Sequence, residues 1–143
     1  GLPRLATSTA DLLVIGSSLN VTSEVALLGL EGWAFYGKDR ARLYQALAKT
    51  DIPAILLSGD RHFAELYRVT LPSGRIIHEA MSSGLTHSAA VTLPHAGRIS
   101  PMIGLRNYGV LQINWSTTGP LVNMQIKSCE RYAVLAEAVT QFA

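Results

Sequence analysis

Asp60, Arg61 and His62 follow Gly59 at the end of an apolar run, in the stretch LLSGDRHFAEL from Leu56 to Leu66. A carboxylate and an imidazole are both ligands for divalent transition ions, and the guanidinium between them is a bidentate fork for anionic oxygen. In an extended chain the side chains at i and i+2 point the same way, so this spacing lets Asp60 and His62 converge on one ion. Gly59 permits a sharp turn or a close backbone approach. Asp-x-His is a short pattern that plain salt-bridged loops share, so its position in the fold has to decide.

Other residues carry less specific chemistry. His87 and His95 lie in a long irregular segment, open to ligation, to acid–base work or to a plain surface role. His78 sits mid-strand and reads as a satisfied structural histidine. Trp33 and Tyr36 fit core or loop anchors as well as a substrate platform. Cys129 is the single cysteine, so no intrachain disulfide forms, and it reads as a small half-buried side chain. The chain has no glycine loop of the phosphate-cradling kind and no nucleophile–base pair readable in sequence.

The elements that must position these groups follow from hydrophobic patterning. Leu12-Leu13-Val14-Ile15, closed by Gly16-Ser17-Ser18, is predicted as a buried strand, since parallel strands covered on both faces lose polar alternation. Gly37 to Thr50 is predicted as a helix, with Asp39 in its first turn and Arg40, Leu43, Tyr44 and Leu47 on one face. An arginine at the head of that apolar face implies a polar or anionic neighbour. Ala54 to Leu57 is a second apolar strand. Together these form a βαβ unit whose two strands run parallel and end on one sheet edge, where α/β folds gather their sites. Gly16-Ser17-Ser18 and Ser58 to His62 meet there.

Beyond that point Glu65 to Leu71 and Arg75 to Met81 read as a hairpin turned by Pro72-Ser73-Gly74. Ser82 to Arg106 lacks periodicity and reads as a lid or site wall. Tyr108 to Trp115 is predicted as a strand with Leu111, Ile113 and Trp115 on one face. Val122, Met124 and Ile126 alternate with polar residues, as in an antiparallel strand wet on one side. The tail spacing of Leu135, Ala138, Val139 and Phe142 fits a helix, yet a final strand is preferred for the reason given below.

Composition narrows the partners. Charged residues are 15% of the chain and hydrophobic ones 48%, with a net charge of +2 and scattered basic residues. No nucleic-acid footprint is present, and no apolar run is long enough for a membrane span. The apolar surplus points to a covering partner, either a further part of the fold or a second subunit. The chain begins at Gly1 and shows no targeting segment, so it reads as a fragment or processed form.

Four stretches in order, GWAFYGKDRARLYQAL (32–47), LLSGDRHFAEL (56–66), EAMSSGLTH (79–87) and RNYGVLQINW (106–115), resemble the alkaline phosphatase D-like metallophosphoesterases. The resemblance implies a calcineurin-like α/β fold, in which two mixed β-sheets pack as a sandwich flanked by helices. Only its C-terminal half is present across 1–143, a βαβ unit followed by antiparallel hairpins, with the family's final strand at the tail. It implies metal-dependent hydrolysis of phosphate mono- or diesters, with iron, calcium or another divalent cation such as manganese. Carried over by position, Asp60 and His62 are the late metal ligands, and Trp33 and Tyr36 shape the substrate-binding wall. Arg40 matches the same stretch as Trp33 and Tyr36. Arg40 and Arg61 are candidate catalytic cations for anionic oxygens, although Arg61 fills a slot that varies in the family. Relatives are often exported. The first acidic ligands and an asparagine of that family have no counterpart before Asp11. The expected partner is therefore the N-terminal half or a second subunit, and the alternative is a non-catalytic half-domain that acts only in assembly. A lone ligand-binding β-module would require the βαβ reading to fail.

Overall fold

The computed structural model describes residues 7–25, 31–90 and 94–143. Strands β1 (Leu13–Gly16), β2 (Ala54–Ser58), β3 (Ala64–Thr70) and β4 (Ile76–Ser82) make one sheet in the order β1-β2-β4-β3. Strands β1, β2 and β4 are mutually parallel, while β3 returns antiparallel along β4. Helix α1 (Gly37–Leu47) connects β1 to β2 after a 3-10 turn at Trp33–Phe35. The predicted βαβ unit is present, and α1 stops one turn before Thr50. Strands β5 (Asn107–Ser116), β6 (Gly119–Ser128) and β7 (Val134–Gln141) form a second, fully antiparallel sheet. The tail is a strand, not a helix, because its apolar residues pair across β6.

Two apolar layers hold these parts together. Leu43 and Leu47 of α1 pack on Ala54, Leu56 and Ile77 on one face of the first sheet. Ile55, Ala64 and Leu66 on its other face meet Val122, Met124 and Ile126 of β6. The first sheet is thus covered on both sides, which explains the unbroken apolar run of β2. On β5, Leu111 and Ile113 join the inter-sheet layer as their spacing predicts. Trp115 departs from that expectation: it lies past the edge of the cover and is 62% exposed.

The segment after β4 does more than connect. It runs beside the outer edge of β3, with antiparallel bridges from Ala64 to Ile103 and from Tyr67 to Arg98. That covering satisfies backbone groups that an open edge strand would leave free.

His78 is the mid-strand structural histidine expected, but only one of its ring nitrogens is satisfied. It is buried, its Nε2 lies 3.3 Å from Thr140 Oγ1, and its Nδ1 has no hydrogen-bond partner among the described residues. Burial, and next the nearby Arg68 charge, push its pKa below the usual 6.5. The unfolded chain therefore takes up the proton first. The stability due to neutral His78 is complete above about 6.5 and is lost as pH falls from there through the folded value. His78→Phe is expected to flatten the loss of urea midpoint between mildly alkaline and mildly acidic buffer. Parallel urea melts of wild type and variant check this.

Candidate metal site

The parallel strands β1, β2 and β4 end on one edge, and the segments that leave them converge. Ser17 N donates to Leu57 O at 2.8 Å. A Cβ on Gly59 would lie 3.2 Å from Ser83 Cβ and 3.9 Å from Ser18 O, so only glycine fits easily among these three strand exits. Asp60 and His62 follow at once, and both are exposed.

Their local geometry differs from the extended pair that the spacing predicts. Asp60 has φ 75° and His62 φ 59°, so both lie in the left-handed region. Non-glycine residues enter that region at a cost and mostly at functional or tightly turned positions. The chain therefore coils across the strand end, and the two side chains do not align by strand alternation. The turn is pinned from outside. His62 N donates to Ser83 Oγ at 2.9 Å, and Ala89 N donates to His62 O at 2.7 Å. Between those two anchors lies His87, whose ring stands 5.2 Å from that of His62 at 84°.

Arg61 turns inward, away from the solvated arginine that a plain loop would hold. It is buried, its Nε donates to Glu31 O and its Nη1 to Ser23 Oγ, both at 3.3 Å. Its Nη2 has no partner among the described residues. A Cβ on Gly32 would come within 2.9 Å of that nitrogen, so the glycine makes room for the guanidinium. Arg40 reaches the same loop, where its Nη1 donates to Ser23 O at 2.8 Å. That carbonyl is the polar neighbour expected at the head of the helix face. The Trp33 indole N–H donates to Ser17 Oγ at 3.1 Å, which ties the 3-10 turn to the exit of β1. Tyr36 is 56% exposed beside it.

The residue that organises this edge was not singled out in sequence. Glu79, fully buried on β4, accepts from Asn20 Nδ2 at 3.0 Å, Val21 N at 2.9 Å, Thr22 N at 2.8 Å and Thr22 Oγ1. Ser58 Oγ also donates to it. An acid in the middle of the mostly apolar IIHEAM strand was the available signal, because a buried carboxylate must be fully hydrogen-bonded.

His95 lies elsewhere. Its ring packs on Tyr67 at 4.5 Å and its Nδ1 accepts from Gly97 N at 2.9 Å. Burial lowers its pKa. Tyr67 donates to Glu65, which pairs with Arg98 at 2.7 Å. This cluster braces β3 against the covering segment.

The fold resembles that of PhoD. The structure of PhoD matches with a TM-score of 0.60 over 98% of this chain, at 15% sequence identity. The chain spans about 30% of the PhoD chain. No protein family and no curated protein matches by sequence. At this identity the likeness to PhoD is one of fold. The mixed α/β architecture with two sheets agrees with the expected class, and the partial coverage is consistent with a partial domain.

The donors fit a divalent ion in kind, since Asp60 and His62 are accessible and chemically suited to one. They do not make a closed cage. Among the described residues, no three histidine, cysteine or carboxylate groups stand close enough to hold an ion. No helix among them is long and apolar enough to cross a membrane.

Proposed function

We propose that this chain is the C-terminal part of a metal-dependent phosphoric ester hydrolase akin to PhoD, acting on phosphate mono- or diesters, with Asp60 and His62 as metal ligands. One observation carries the reading: two accessible ligand side chains at the carboxyl edge of three parallel strands. The PhoD-like fold over 98% of the chain supports it. Asp60 and His62 would hold an iron, calcium or manganese ion, which would supply Lewis-acid chemistry and a more acidic water. The remaining ligands come from a preceding segment or a second subunit.

The chain's own residues divide the work. Arg61 ties Glu31 to Ser23 through Nε and Nη1 and, being buried, acts as a positioning residue for the site wall. Arg40 is engaged with Ser23 O and acts as a positioning residue. Trp33 fixes the wall through Ser17, and exposed Tyr36 is the surface a substrate meets.

In the protein that carries this chain, Asp60→Ala and His62→Ala are each expected to lower bound metal. Each is also expected to cut turnover of p-nitrophenyl phosphate and its bis ester by roughly a hundredfold or more. Elemental analysis and initial rates check this, and unchanged metal content and turnover would overturn the assignment.

A second reading rests on strand β1. It pairs only with β2 among the described residues, and its Val14 is 45% exposed. The chain is then an assembly piece that works by pairing along that edge. It predicts concentration-dependent association on a sizing column and no ester hydrolysis with added manganese, calcium or iron. Turnover by the 143-residue chain alone would exclude it.

A further inference from the structure

The geometry points to His87 as a metal ligand paired with His62, making a two-imidazole site selective for a borderline first-row ion over calcium. This rests on the reading of His62 as a metal ligand above and deepens it. The two rings are crossed at 84° with centroids 5.2 Å apart. Two imidazoles bound to one tetrahedral ion stand roughly 5 Å apart when each N–metal bond is about 2.0–2.1 Å. Both side chains are exposed, so neither has to leave a core to bind.

The pair is also held in place before any ion arrives. The His62 main chain is gripped on both sides by the segment that carries His87, through Ser83 Oγ at 2.9 Å and Ala89 N at 2.7 Å. The left-handed backbone at His62, φ 59°, is over-determined by those two bonds. A ring contact alone needs no such clamp, whereas a ligand pair gains affinity from it.

Ligand chemistry sets the ion class. Calcium takes six to eight oxygen ligands and gains little from imidazole, whereas zinc, iron, cobalt and copper accept it readily. Among the described residues no third ligand group, Asp60 included, stands close enough to join the two rings, so water, substrate oxygen or groups beyond those residues complete the sphere.

The test is calorimetric titration of the chain with zinc and, separately, with calcium, together with ring-nitrogen NMR of the histidines. Wild type is expected to bind one zinc, with shifts at His62 and His87 and none at His95, and no competition from a large excess of calcium. His87→Ala and His62→Ala are each expected to weaken zinc at least about tenfold. Both are exposed, so the variants keep the fold. If His62→Ala or Asp60→Ala weakens zinc while His87→Ala matches wild type, the pair is overturned and the Asp60–His62 assignment stands. If the chain takes up no zinc, the rings make a ring contact only and the pair is again overturned. The Asp60–His62 assignment is then still read from metal content in the larger protein.

Discussion

Replacing Glu79 with alanine is expected to cost roughly 3–5 kcal/mol of folding stability, because it takes the charged acceptor away from several buried hydrogen bonds at once. The carboxylate is fully buried and takes hydrogen bonds from Asn20, Val21, Thr22 and Ser58. Alanine leaves those donors facing one another in a dry space, each with an unmet desolvation cost of about 1–3 kcal/mol. Collapse of the 20–23 loop offsets part of that sum. Glu79→Gln fits the same space but turns one acceptor into a donor, so a smaller loss of roughly 1–3 kcal/mol is expected. Urea unfolding followed by circular dichroism reads both. A Glu79→Ala midpoint equal to wild type would mean that the network contributes nothing net. The effect should reach the candidate site, because Ser23, which Arg61 and Arg40 both grip, is joined to this network through Asn20 Oδ1 at 3.1 Å.

Leu66→Ala is expected to lose roughly 2–5 kcal/mol, the range for truncating a buried leucine. Leu66 is fully buried between the sheets, against the Val122, Met124 and Ile126 layer. Backbone on both sides is fixed in sheet, so the cavity collapses poorly and the upper half of that range is favoured. At this chain length each kcal/mol moves Tm by about 2–4 °C, so a drop on the order of 10 °C is the readout. Val139→Ala is the control. Val139 belongs to the second sheet, against which Leu66 packs, but is 59% exposed, and its truncation should stay within about 0.5 kcal/mol. Equal losses at both positions would mean that the sheets are not packed as described.

The patterns that repeat were the ones legible in sequence. Strand β2 announced itself by an unbroken apolar run, and β6 by strict alternation of Val122, Met124 and Ile126 with Asn123, Gln125 and Lys127. Both patterns report burial directly, on two faces or on one. The tail was harder, because Leu135, Ala138, Val139 and Phe142 satisfy helical spacing by chance, and only pairing with β6 decides between the two. At the candidate site, residue types were legible and backbone was not. Asp60 and His62 were picked out by chemistry, yet the left-handed backbone at His62 is held by Ser83 and Ala89, more than twenty positions away. Glu79 stayed hidden for the same reason. Its partners Asn20, Val21 and Thr22 lie 57–59 positions upstream, and no local window joins them.

The apolar monotony of β2 has a consequence for how the chain folds. Leu56 faces the helix, while Ile55 and Leu57 face the small sheet. Sliding the strand by two positions would still put greasy side chains into both layers, so greasiness alone proofreads alignment poorly. Ser58 breaks the tie, because only one alignment delivers its hydroxyl to Glu79. A misaligned strand would forfeit that bond to a buried carboxylate, and the penalty tilts the balance toward the native alignment.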